Sequence, residues 1–343
     1  MRSFNIGFIG CGFVAQQCHL PAFSSIEGLN VFAIADPHHD VTSIISRQYG
    51  ISHTYSSHID LLSNEEIDCV VITLPRRLSY NIVKASLLAE KHVFTEKPLC
   101  LSSLHGDQLI NVCKTKERIL LPGYMRRYDA AVIELKKRLN LLDSHDIVSV
   151  SAYCHMGNSY CSPFGDIKGV AVQDIEYFYE PLPEWLPKTL YVNYEQFINV
   201  FSHITDLLEF IFGHKLDLKD CSTNKWGEGI LLCTLGSIPV SLSLMRGTQS
   251  EWREGIDILT RKTRLQLNLQ PAFLRSQPGF LVENYGDKTL NQDFFQPQWS
   301  WSFHSQAQAL YSLLLVGKSN TETAVSAVNQ IRFAESLFEN YIC

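Results

Sequence analysis

The segment Asn5–Phe23, NIGFIGCGFVAQQCHLPAF, constrains the fold more than any other stretch of the chain. An apolar strand runs into Gly10-Cys11-Gly12-Phe13-Val14-Ala15 and passes directly into a helix. That layout predicts a dinucleotide-binding turn. Gly10 permits the sharp exit from the strand, Gly12 lets the backbone approach a pyrophosphate, and small Ala15 lets helix and strand pack closely. Phe13 and Val14 complete the turn, and the helix that follows presents unpaired N–H groups that suit phosphate oxygens. Glycine-rich strand ends also occur as plain turns, so context decides between the two. A second strand, Val31–Ala35, ends at Asp36, which follows Gly12 by the roughly 20 residues at which an acidic side chain accepts bonds from the adenosine ribose. An anionic Asp36 repels a 2′-phosphate, which favours NAD over NADP.

The first third of the chain alternates short apolar runs with helical patterns, as parallel strands joined by crossover helices do. Strands are expected at Asn5–Ile9, Val31–Ala35, Cys69–Thr73, His92–Thr95 and Ile119–Leu121. Helices are expected at Asp40–Tyr49, ended by Gly50, at Leu78–Lys91 and at Leu104–Lys116. After Pro122-Gly123 the texture changes. A helix near Ala130–Leu139 precedes alternating strands at Ile147–Tyr153, Ile230–Leu235, Val240–Leu244, Gly255–Thr260 and Thr263–Leu269. Two helices, Ser305–Leu315 and Glu322–Tyr341, close the chain. The fold class is therefore α/β: a Rossmann doubly wound parallel sheet over residues 1–122, then an α+β domain with a large, mainly antiparallel sheet over residues 123–343.

With 343 residues the chain has room for two such cores. A net charge of -6 shows no basic surplus for nucleic acid. No segment reaches the ~18 apolar residues of a membrane span, and the apolar start is too short and too glycine-interrupted for a signal peptide. The ten cysteines show no CxxC pair and are expected as reduced core thiols of a cytoplasmic protein. His38-His39 stand without ligand-spaced partners, so no metal site is expected. Between Met156 and Glu195 lies an aromatic, proline-rich stretch without periodicity, with Tyr160, Phe164, Tyr177, Phe178, Tyr179, Trp185 and Tyr191. Such a segment either packs on itself or offers aromatic faces to a sugar ring.

The second chemical signal is Glu96-Lys97-Pro98, a charged pair ending the apolar strand His92–Thr95. A solvated strand end is the plainer reading, but ligands of doubly wound sheets bind at the carboxyl ends of strands. The motifs Gly10-Cys-Gly-Phe-Val-Ala15, His19-Leu-Pro-Ala-Phe23, Val71-Ile-Thr-Leu-Pro75, Glu96-Lys97-Pro98 and Gly123-Tyr-Met-Arg-Arg127-Tyr occur in this order. Together they closely resemble the Gfo/Idh/MocA family of nicotinamide-dependent sugar and inositol oxidoreductases, over essentially the whole chain.

That resemblance implies a second domain whose open sheet carries substrate on one face and subunit contacts on the other, in a homodimer or homotetramer. It implies that Glu96 contacts the nicotinamide ribose, that Thr73, Leu74 and Pro75 line the adenosine side, and that Lys97 reaches the reacting oxygen. The family's Asp-x-x-x-His pattern matches Asn199-Val-Phe-Ser-His203, followed by Asp206. The i, i+4 spacing puts Asn199 and His203 on one helical face. Two positions depart from the family: Asn199 replaces an acid, and Ser79 stands where many members have histidine. Asn199 hydrogen-bonds but takes no proton, so acid–base work falls on Lys97 and His203. The activity implied is NAD-dependent oxidation or reduction at a CH–OH carbon of a sugar, sugar nucleotide or cyclitol. The alternative, kept open by Asn199 and Ser79, is a catalytically silent regulator that binds nucleotide and sugar.

Overall fold

The computed structural model describes residues 2–157, 179–247, 252–275, 277–286 and 291–342. The chain divides into two compact units. Of the described residues, those within 2–124, 179–183 and 303–331 form the first, and those within 125–157, 184–302 and 332–342 form the second. The split expected at 122/123 was contiguous, whereas these units are discontinuous in sequence.

In the first unit, β1 (Phe4–Ile9), α1 (Leu20–Ser24), β2 (Leu29–Ala35), α2 (His39–Tyr49), β3 (His53–Tyr55), α3 (His58–Leu62), β4 (Cys69–Ile72), α4 (Ser79–Leu88), β5 (His92–Thr95), α5 (Ser103–Thr115) and β6 (Leu120–Pro122) alternate along the chain. The six strands form one parallel sheet in the order β3-β2-β1-β4-β5-β6. The chain reverses its direction of winding between β1 and β4, so the crevice outside their carboxyl ends is the topological switch point. All four residues of β4 are buried, as expected of a parallel strand covered on both faces. Helix α2 ends at Gly50, whose φ of 68° is the left-handed cap its sequence position predicts. The short strand β3 carries His53 and Thr54 and has no apolar run to announce it.

The second unit holds α6 (Ala130–Leu139), β7 (Ile147–Met156), α7 (Tyr191–Phe212), β8 (Leu216–Thr223), β9 (Gly229–Leu235), β10 (Ile238–Arg246), β11 (Arg253–Thr260), β12 (Thr263–Leu269), β13 (Phe280–Tyr285) and β14 (Asn291–Phe295). Its eight strands lie in the order β14-β13-β12-β11-β7-β10-β9-β8. Among the described strands β7 and β10 run parallel and the other neighbouring pairs are antiparallel. On β7, Val150, Ala152 and Cys154 are buried, while Ser151, Tyr153 and His155 alternate onto the opposite face. The strands β8, β13 and β14 go beyond the sequence expectation. Two of them are sheet edges, and the polar runs Leu-Asp-Leu-Lys-Asp and Asn-Gln-Asp mask a strand pattern while protecting an edge.

Helices α8 (Ser302–Val316) and α9 (Glu322–Leu337) close the chain, and the segment Phe303–Ile331 returns to the first unit. Ala324, Ala327, Val328 and Ile331 share a hydrophobic core with Val70, Val93, Leu109 and Leu120. Gly106 on α5 makes room for this: a Cβ there would come within 2.4 Å of Val328. The apolar stripe of α9 thus completes the sheet's helical cover, which is why linear position misassigns it.

Among the described residues, seven cysteines are buried free thiols and Cys221 is half-buried. Cys161, Cys343, Tyr160, Phe164, Tyr177 and Phe178 lie outside the described residues. No described helix is long and apolar enough to cross a membrane. Among the described residues, no cluster of three His, Cys, Asp or Glu side chains is placed to hold a metal ion.

Candidate active site

The crevice at the switch point contains a cavity of about 460 Å³ whose walls include Gly10, Gly12, Asp36, Thr73, Leu74 and Pro75. Six of the residues singled out in the sequence thus meet around one space. Gly10 and Gly12 play different parts there. Gly10 has φ of 86°, and a Cβ on it would stand 2.5 Å from the Thr73 carbonyl oxygen. Its N–H donates to Ala35 O at 2.9 Å and its carbonyl accepts from Thr73 Oγ1 at 2.6 Å. Gly10 is therefore required by the seam between β1 and β4. A Cβ on Gly12 meets nothing within 4 Å. No neighbour among the described residues requires glycine there, so the open space beside it suits a ligand's phosphates.

The chain is helical from Phe13 onward, with a π-helical turn over Ala15–His19. Phe13 and Val14 are half-buried and Ala15 is fully buried, which leaves Ala15 as the close-packing residue between helix and sheet. Asp36 is 8% exposed and tied on both oxygens. Oδ2 accepts from Cys11 N at 2.8 Å, and Oδ1 accepts from His38 N at 2.9 Å and faces His38 Nδ1 at 2.7 Å. The carboxylate is thereby fixed at the cavity wall before any ligand arrives. Burial, followed by the charge of Asp36, pushes the Cys11 thiol far up, so it stays protonated.

Glu96 follows β5, and its N–H donates to Ile72 O at 2.8 Å. Its Oε1 lies 2.6 Å from His19 Nε2, and its Oε2 accepts from Lys97 N at 3.1 Å. Lys97 is half-buried. Loss of solvent around its amine lowers the pKa to about 8, Glu96 opposes that shift, and Arg76 adds to it. An amine poised so near neutrality can both take and give a proton. Ser79, at the head of α4, is buried.

On the second unit, Asn199 and His203 lie one turn apart on α7, both half-buried, on a helix where most neighbouring positions are fully buried. Asp206, the third member of that pattern, is 1% exposed and carries an ion pair with Arg127. Arg127 comes from the Gly123-Tyr-Met-Arg-Arg127 motif, so the two motifs meet through their charges.

Two contacts lay outside the sequence reading. His19 was only part of a motif, and His38 only a discounted metal ligand. Both prove to be carboxylate partners, of Glu96 and Asp36. The signal available for each was a histidine close in sequence to the phosphate turn or to the acidic residue itself.

Residues 4–124 match the Gfo/Idh/MocA family, described as an oxidoreductase family with an NAD-binding Rossmann fold. The inositol 2-dehydrogenase of Salmonella typhimurium is 28% identical over 143 residues, 41% of this chain and 42% of that protein. The myo-inositol 2-dehydrogenase of Thermotoga maritima is 30% identical over 132 residues, 38% of this chain and 39% of that protein. The match thus spans about two fifths of the length of these curated relatives. Over the whole chain the likeness is one of fold. KijD10, a 3-ketoreductase from Actinomadura kijaniata solved with TDP-benzene and NADP, has a TM-score of 0.74 at 16% identity, covering 98% of this chain and 96% of that one.

Proposed function

We propose that this chain is a Gfo/Idh/MocA-type, NAD-dependent oxidoreductase acting on a secondary alcohol or ketone of a sugar, sugar nucleotide or cyclitol. One observation carries the reading: an open glycine turn and a half-buried lysine of pKa about 8 lie at carboxyl ends of strands in one parallel sheet. Gly10, Gly12, Phe13, Val14 and Ala15 would hold the cofactor's pyrophosphate. Asp36 would take the adenosine ribose, Thr73, Leu74 and Pro75 the adenosine side, and Glu96 the nicotinamide ribose. When bound, the cofactor supplies the two-electron exchange that interconverts carbinol and carbonyl.

The protein's own groups then manage the proton. Neutral Lys97 Nζ accepts the hydroxyl proton in the oxidative direction, and the ammonium returns it in the reductive one. His203 serves as second proton carrier or relay, and Asn199 orients a substrate hydroxyl. The inositol dehydrogenases among the relatives, and a ketoreductase of the same fold, support the substrate class. NAD is favoured over NADP because Asp36 is held as a charged wall of the cavity. We assign a homodimer or homotetramer to the outer sheet face, on which Ile230, Leu232, Leu259 and Phe294 are all exposed.

The test is nicotinamide absorbance on mixing the protein and cofactor with a panel of inositols, aldoses, sugar nucleotides and their keto forms. Turnover with one class establishes the activity. NADH should bind better than NADPH, and Asp36→Ser should weaken NADH and narrow the gap. Tight NADH binding with no turnover across the panel would favour the silent regulator.

A further inference from the structure

We infer that His19 is a positioning residue for Glu96, and through it for Lys97. The inference rests on the cofactor reading above, and everything it uses lies within the first unit.

His19 ends the π-helical turn that follows the glycine turn, and it is wholly buried. Three aromatic rings meet its imidazole edge to face: Phe23 at 6.1 Å, Phe94 at 5.1 Å and Phe303 at 5.3 Å between centroids. Its Nε2 lies 2.6 Å from Glu96 Oε1, while Nδ1 is buried and has no hydrogen-bond partner among the described residues. A carboxylate only accepts, so the shared proton belongs on Nε2. An Nδ1 left as a bare lone pair is also less costly in an aromatic cage than a stranded N–H. The ring therefore has one available task, which is to donate to Glu96.

That donation locks the carboxylate. Oε1 is held by His19 and Oε2 by the Lys97 backbone N–H at 3.1 Å, so the Glu96 side chain cannot turn without releasing one of them. Gly123 closes the remaining side, since a Cβ there would come within 3.2 Å of Glu96 Oε1. The same two bonds tie the Lys97 main chain to the helix that starts at the phosphate turn. A histidine that merely filled space would not need its nitrogen aimed at the one carboxylate beside the proposed catalytic amine. The cage also explains why the C-terminal segment matters here: Phe303, which begins the returning segment, supplies one of its three walls.

The test is a fluorescence titration of NADH against the wild type, His19→Phe, His19→Gln, Glu96→Gln and the His19→Phe/Glu96→Gln double variant, each with its melting temperature. His19→Phe keeps the aromatic packing and removes the donor, and should weaken NADH about tenfold or more, the scale of a lost hydrogen bond to a charged group. His19→Gln returns a donor to the same place and should recover most of that loss. The double variant should bind no more weakly than Glu96→Gln alone, because His19 acts through Glu96. Should His19→Phe fail to fold, His19→Met against His19→Gln reads the same contrast. Wild-type affinity in His19→Phe, equal weakening by Phe and Gln, or additive losses in the double variant would each overturn the inference. A wild-type protein that fails to bind NADH would instead overturn the cofactor reading itself.

Discussion

Arg127 grips Asp206 with two prongs: Nε lies 2.8 Å from Oδ2 and Nη2 lies 2.5 Å from Oδ1, with the carboxylate almost wholly buried. The Arg127 guanidinium also lies over the Phe210 ring, 5.1 Å from its centroid. Asp206 closes the same stretch of α7 that carries Asn199 and His203. Its carboxylate is committed to holding that helix.

Asp206→Asn leaves Arg127 a buried cation without its counter-charge. The expected cost is about 3–5 kcal/mol of stability, read as a lower denaturant midpoint with an unchanged slope. A midpoint equal to wild type would show that the pair contributes little.

Alanine at the two glycines of the turn should separate folding from binding. Gly10→Ala forces a side chain into a left-handed backbone and against the Thr73 carbonyl, at a cost of about 2 kcal/mol or more. Gly12→Ala meets open space, so stability should stay within about 0.5 kcal/mol of wild type while NADH binding weakens. A Gly12→Ala protein that binds NADH normally would show that phosphates do not approach there.

The proton role proposed for Lys97 predicts a pH dependence whose direction differs between the two reactions. Below pH 8 it is an ammonium and above it an amine. Oxidative turnover, which needs a base, should rise through about pH 8, and reductive turnover should fall through the same point. Lys97→Met should abolish the inflection together with most of the rate. The folded pKa lies below the ordinary value of 10.5, so between pH 8 and 10.5 the unfolded chain holds the extra proton and this group's contribution to stability rises with pH. Profiles without an inflection near 8 would remove Lys97 from the proton path.

Features that depend on neighbouring residues were legible without coordinates. The strand, turn and helix around Gly10–Ala15 and the second strand ending at Asp36 follow from hydrophobic period and spacing, whereas Asn199 and His203 were marked by the family resemblance and not by the period of the long helix α7 that carries them. The parallel character of the first sheet was legible too, because strands such as Cys69–Ile72 are apolar on both faces. Strands β8 and β14 were not legible, because an edge strand with polar residues gives up the alternation that would announce it.

The sequence by itself determined the two-part α/β architecture and the turn at its switch point, since propensity, period and glycine placement act over a few residues. Only the tertiary structure decided which side chains hold which. His19 with Glu96, His38 with Asp36, and Arg127 with Asp206 are pairings of charge and hydrogen-bond donor made when distant or turned segments are buried together. It also decided that Phe303–Ile331 belongs with the six-stranded parallel sheet. An apolar helix face shows that it must be covered, and the partner is set by where the remaining exposed apolar surface lies once the chain has folded.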